Sequence, residues 1–294
     1  MSNQVDLYSS TNNFYPFRVG NFECAAVCDG SSDYSLESMV TNAPRSEVEA
    51  YLRAQGLPTE VITTPYTYPY VDTGSHKIMV DMGAGKLLST TGKLLENMEQ
   101  ADISPQLIDQ IFISHAHPDH IGGALNDKGE FNFPNATYFI WKKEWEFWFS
   151  EQAIQQADEF FVTFAQEKLA PLKERTILIE EENEILPGVE VIFAPGHTPG
   201  HMAISFKSEG EQFIYTADTA LHPLHLERPD WFPVFDILPD SARASKNHIF
   251  DLAATTNSLV LGQHFPPFPN VGRIIRKEIG WKFLPIETEP RREH

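Results

Sequence analysis

The sequence predicts a layered α/β protein, and three observations predict it. Short apolar runs rich in β-branched residues recur along the chain, helical patterns lie between them, and each run carries a chemically capable residue at its carboxyl end. The runs are KIMVDMGAG (77–85), QIFISHAH (110–117), VEVIFAPGH (189–197), QFIYTADT (212–219) and SLVLGQH (258–264). Strands that end in this way would deliver Asp81, His115, His197, Asp218 and His264 to one edge of a sheet.

The intervening helical patterns are SEVEAYLRAQG (46–56), a long QQADEFFVTFAQEKL (155–169) and SARASKNHIFDLAATTN (241–257). The last has a capped start at Ser241, behind Pro239-Asp240. VITTPYTYPY (61–70) is rich in proline and tyrosine and matches no regular element, so it reads as a hairpin arm, a lid or an aromatic surface covering a dimer partner. Neither a repeat nor a low-complexity linker divides the chain. A single domain over 1–294 is expected, with 1–16 as a flexible N-terminal arm.

Of the 294 residues, 41% are of hydrophobic type, enough for a large core. Lys and Arg number 22 against 41 Asp and Glu, and the resulting −19 repels nucleic acid and anionic lipid. Neither is an expected partner. Cys24 and Cys28, in FECAAVCDG, fall on one face of one strand, too far apart for a disulfide. The start MSNQVDLYSSTNNFYPF lacks the basic and apolar regions of a secretion signal, and no apolar stretch is long enough for a membrane span. A soluble, cytoplasmic protein is expected.

The densest chemistry lies in ISHAHPDHIGG (113–123), where His115, His117, Asp119 and His120 fall within six positions. Neutral imidazoles and a carboxylate suit a borderline divalent ion such as zinc. A turn leaving the strand can aim His115 and His117 at one ion and Asp119 and His120 at another. Pro118 stops the strand, and Gly122-Gly123 admits neighbouring backbone.

HAHPDH resembles the HxHxDH signature of the metallo-β-lactamase superfamily, whose fold is an αβ/βα four-layer sandwich with a dinuclear metal site at one edge. Its downstream partners occur in order: His197 in APGHTPGH, Asp218 in YTADT and His264 in LGQHFP. The resemblance covers roughly residues 17 to 286. It implies that one ion takes His115, His117 and His197, the other Asp119, His120 and His264, and that Asp218 is shared. It also implies that Asp81 orients the metal loop without binding metal. His201, in HTPGH, reads separately as a further hydrogen-bonding support. His222 and His225 are placed either on the pocket wall or on a loop.

The implied cofactors are two divalent ions per chain, zinc first, with manganese, cobalt or iron also compatible with this donor set. Two cations a few ångströms apart lower the pKa of a bridging water from about 15.7 toward 7, giving hydroxide at neutral pH. With Asp119 and Asp218 in catalytic positions, the implied reaction is hydrolysis of a small ester, lactone or phosphotriester.

Within the superfamily, VGNFECAAVCDG, FPNA (133–136), EFWFSEQ (146–152) and the tail HFPPFPNVGRIIRKEIGWKFLPI (264–286) look most like the methyl parathion hydrolase branch. Acyl-homoserine lactonases share the metal motif but fit these stretches less well. Lactonases carry a tyrosine three residues after the bridging aspartate, where this chain has Leu221. That likeness places Trp148, Phe160, Phe161 and Leu221 in an apolar substrate pocket. Alternative readings are an acyl-homoserine lactonase and an iron-dependent oxidoreductase of the same fold, similar to the persulfide dioxygenases. Relatives are often dimers, so a homodimer is possible on the same ground.

Overall fold

Phe112, in β5 (Gln110–Ile113), shows how the layers arise. Its neighbours Ile111 and Ile113 face one way, it faces the other, and all three are fully buried. A strand buried on both faces needs a layer on each side.

The computed structural model describes residues 13–287. The first sheet runs in chain order through β1 (Phe14–Val19), β2 (Phe22–Ser35), β3 (Val61–Asp72), β4 (Lys77–Val80), β5, β6 (Thr137–Trp141) and β7 (Thr176–Ile179). β1 to β4 are antiparallel, and β4 to β7 are parallel. The second sheet contains β8 (Glu184–Leu186), β9 (Val189–Phe193), β10 (Met202–Ser208), β11 (Glu211–Ala217), β12 (Leu259–Gly262), β13 (Val271–Arg276) and β14 (Trp281–Pro285), again in chain order. Only its β11–β12 pair is parallel.

Between the sheets, Val71, Val80, Phe112 and Phe139 pack against Val191, Ile204, Phe213 and Leu261. Outside the first sheet, Met79, Ile111 and Ile113 pack on Leu94, Met98 and Ala165 of flanking helices. Outside the second, Ile192, Ile214 and Val260 pack on Ile249, Phe250 and Ala253 of the helix Pro239–Thr256. The layers are therefore helix, sheet, sheet, helix: the expected αβ/βα sandwich.

Four expectations change. VITTPYTYPY is neither an arm nor a lid but most of β3, paired with β2 along its length, with Tyr66 and Tyr68 buried. β4 pairs only with Tyr70–Asp72, so the stretch holding Pro65 and Pro69 has an open edge where a missing N–H breaks no ladder bond. The long helix expected over 155–169 is two, Glu151–Gln156 and Glu159–Leu169, because Ala157 and Asp158 are extended and Asp158 caps the second through the Phe160 N–H.

The last helix starts at Pro239 rather than Ser241, since a first-turn proline gives up no helix bond. Phe14–Pro16, the end of the expected arm, pair with Ala25–Val27, and residues 1–12 of that arm lie outside the described residues. Cys24 and Cys28 both lie in β2 as free thiols. Among the described residues, no helix is long and apolar enough to cross a membrane.

Candidate metal centre

The expected residues stand just past strand ends: Asp81 after β4, His115 after β5, His197 after β9, Asp218 after β11 and His264 after β12. Two strand exits are turned by left-handed residues that are not glycine, Asp81 at φ 62° and Ala217 at φ 44°. Gly122 and Gly123 hold the loop against the turn that follows β4, at Ala84 and Met82. A Cβ on Gly123 would come within 2.0 Å of the Met82 carbonyl oxygen, so no other residue fits there.

The structure brings all seven expected ligands together in two groups. One is His115, His117, His197 and Asp218, the other Asp119, His120, His264 and Asp218, and within each the donor atoms lie within 4.8 Å of one another. Asp218 divides its carboxylate between them. Oδ2 faces His197 Nε2 at 3.3 Å and His115 Nε2 at 3.8 Å, while Oδ1 faces His120 Nε2 at 3.4 Å and His264 Nε2 at 3.5 Å. Asp119 Oδ2 lies 3.4 Å from His264 Nε2 and 3.6 Å from His120 Nε2.

These atoms fit a pair of cations. His115 Nε2, His120 Nε2 and Asp218 Oδ1 are buried without a hydrogen-bond partner, a costly state unless something else coordinates them. The electrostatics agree. Burial and the neighbouring imidazoles push His115 and His117 well below the ordinary range and so keep them neutral. At His120 and His264 burial acts in the same sense, but Asp218 and Asp119 overcome it, and the pKa of His264 rises to about 9. His197 also rises to about 9, against burial, through Asp218 and Asp236. The buried carboxylates thus demand positive charge, which protons or divalent ions can supply.

Most of the ligands are held from behind, the exception being His117, whose Nδ1 meets the fellow ligand His197 at 2.8 Å. Asp81 Oδ2 lies 2.7 Å from His120 Nδ1, and Asp81 also accepts from the N–H and Oγ of Ser114, whose Oγ is 3.1 Å from His115 Nδ1. His264 Nδ1 lies 3.1 Å from the Pro65 carbonyl oxygen. His201 is not a ligand: its Nδ1 lies 3.0 Å from the Ala194 carbonyl, and its Nε2 accepts the Asp218 N–H at 3.1 Å.

Four supporting residues were not foreseen. Asp236 Oδ1 meets His197 Nδ1 at 3.0 Å, Gln263 Nε2 donates to Asp119 Oδ2 at 3.1 Å, and the single Tyr215 hydroxyl proton is shared between Gln263 Oε1 at 2.8 Å and Asp81 Oδ2 at 3.1 Å. Glu144, fully buried, accepts from the Ala116 and Gly200 N–H groups, Thr198 Oγ1 and Trp148 Nε1. It thereby ties the HAH loop to the HTPGH loop. In KKEWEFW it looks like either of two acidic residues on a surface helix, and only the contact itself reveals it.

The ligands floor a cavity of about 280 Å³. One wall is apolar and includes Met39, Leu88, Phe161, Leu221 and Phe235. The other carries hydroxyls from Ser32, Tyr34, Thr64 and Tyr66, with the Tyr34 and Tyr66 hydroxyls hydrogen-bonded to each other. Of the expected pocket residues, Leu221 and Phe161 line this cavity. Phe160 is half exposed and lines a neighbouring cavity of about 430 Å³ that shares Phe161 and Phe235.

Trp148 lines neither cavity. It is fully buried behind the ligands, edge-on to His117 at 5.7 Å, because its indole N–H is spent on Glu144. His222 and His225 also lie off the cavity. His222 Nδ1 accepts the Leu224 N–H, and His225 Nε2 meets the Met39 carbonyl oxygen at 2.8 Å.

A sheet-on-sheet sandwich with two histidine–aspartate groups sharing one carboxylate defines a class of dinuclear metal-binding proteins. The chain belongs to the metallo-β-lactamase superfamily, whose family model matches residues 69–264. It is similar to AidC, a dizinc quorum-quenching lactonase solved with the product N-hexanoyl-L-homoserine, at 27% identity and TM-score 0.88, covering 95% of this chain and 99% of that one. It is also similar to the β-lactamase-superfamily hydrolase AbOPH, at 26% identity and TM-score 0.87, covering 96% and 100%. An N-acyl homoserine lactonase of a Bacillus species is 27% identical over 200 residues, 61% of this chain and 73% of that protein.

Proposed function

We propose that this chain is a dinuclear metal-dependent hydrolase that opens lactones or esters of small neutral substrates bearing an apolar group. The observation that carries the reading is Asp218, whose two oxygens face two separate ligand groups on the floor of a half-apolar cavity. When bound there, two divalent ions would supply a water ionised near neutral pH and Lewis-acid polarisation of the oxygen under attack.

The chain's own residues do the rest. His115, His117, His197, Asp119, His120, His264 and Asp218 would hold the ions, and Asp81, Asp236 and His201 keep those side chains in place. Phe161, Leu221 and Met39 offer an apolar surface to an acyl or aryl group and exclude water from it. Similarity to two lactonases supports a lactone substrate.

Leu221 favours a second reading, a phosphotriester with an apolar leaving group, because it widens the apolar wall where lactonases place a tyrosine. Metal analysis of the purified protein, followed by hydrolysis assays with an N-acyl homoserine lactone, an aryl ester and an aryl phosphotriester, tests both readings. Two ions per chain with lactone or ester turnover support the first, and turnover of the triester alone would replace it with the second. Well under one ion per chain would overturn both.

A further inference from the structure

One wall of the cavity is built by backbone register. Ser32 on β2 and Thr64 on β3 are direct partners, and Tyr34 and Tyr66 lie two residues further along their strands, so period-two alternation puts all four on one sheet face. That face lines the cavity beside Asp119, Asp218 and His264, with the Tyr66 ring edge-on to the His264 ring at 4.7 Å.

Two hydrogen-bonding groups on this wall are unspent. The Thr64 hydroxyl is buried, its residue 1% exposed, and it has no partner among the described residues. The Tyr34 and Tyr66 hydroxyls share a single hydrogen bond, in which one donates and the other accepts, so the acceptor's own proton remains free. A buried hydroxyl left unmatched is destabilising, and a ligand carrying a matching polar group removes that penalty.

We propose that Thr64 and the Tyr34–Tyr66 pair form a hydroxyl subsite that binds a neutral carbonyl-bearing group of the substrate, such as an amide, beside the scissile bond. Resting on the hydrolase reading above, it assigns specificity to this wall. The apolar wall takes the tail, and the hydroxyl wall tells an amide-bearing substrate from a plain alkyl one of equal length. A site built to hydrogen-bond a group discriminates strongly against analogues that lack it.

The test compares the metal-loaded wild type with Thr64→Val, Tyr34→Phe and Tyr66→Phe on an N-hexanoyl homoserine lactone and an alkyl γ-lactone of matched length. The expected result is a wild-type preference for the amide substrate in kcat/KM that falls about tenfold in each variant, chiefly through KM. Thr64→Ser, which keeps the hydroxyl, restores it. Equal loss on both substrates, or no loss, overturns the subsite. Dissociation constants for two inert lactams, one with the hexanoyl amide and one alkyl, supply a second readout. If the wild type hydrolyses nothing, the hydrolase reading fails, while a lactam preference lost in Thr64→Val still upholds the subsite and its absence still rejects it.

Discussion

Asp236 Oδ1 lies 3.0 Å from His197 Nδ1, and both side chains are almost completely buried. The carboxylate fixes the ring so that Nε2 faces Asp218. Replacing Asp236 with alanine is expected to weaken metal binding about 10–100-fold, the usual effect of losing a group that orients a ligand. Titration against a competing chelator measures this, and an unchanged affinity would show that the Asp236 contact is incidental.

Asp218→Ala removes the only carboxylate common to both ligand groups. Metal content should fall from two ions per chain to one or fewer, and hydrolysis by a factor on the order of 10³ or more. Elemental analysis and initial rates on the same sample check both. Full metal content with full activity would dismantle the dinuclear reading.

Glu144→Ala should cost stability, on the order of 3 kcal/mol, because four donors lose a shared buried acceptor. Denaturant unfolding of the two proteins gives the difference. A change under about 0.5 kcal/mol would mean that water replaces the carboxylate freely.

Asp29 yields a pH prediction. Burial pushes its carboxyl up to about 6, against the lowering effect of hydrogen bonds from the Ala84 and Leu94 N–H groups among others. The folded protein therefore binds this proton more tightly than the unfolded chain does. The contribution of Asp29 to stability is fully present below about pH 4, is lost as pH rises through the folded value of about 6 and is flat above about 7. Unfolding free energies of wild type and Asp29→Asn, compared from pH 4 to 7, should diverge in that window alone.

Chelation should lower the thermal midpoint, since ions that bind only the folded chain stabilise it by mass action. Adding excess zinc or manganese should restore it. A midpoint indifferent to chelator would argue against a bound ion.

The ligands were legible in the sequence because their chemistry is dense and each follows an apolar run. His115, His117, Asp119 and His120 announce themselves in six positions, and His197, Asp218 and His264 recur in the same strand-then-turn setting. The supports were not. Asp236 and Glu144 act across 39 and 28 residues of chain, in stretches whose local pattern is ordinary. β3 was hidden by Pro65 and Pro69, which look like breakers until the short β4 shows that the adjoining edge is open. Trp148 was misplaced because an aromatic on a helix can face a cavity or a ligand's back, and only its bond to Glu144 decides.

Both ligand groups draw on both sheets: the loop after β5 supplies His115, His117, Asp119 and His120, and those after β9, β11 and β12 supply His197, Asp218 and His264. A chain still emerging from the ribosome, synthesised only as far as β7, therefore owns four of the seven donors and neither complete nest. An ion can find a complete nest only after both halves have come together, and once held there it would rivet the amino-terminal half to the carboxyl-terminal half.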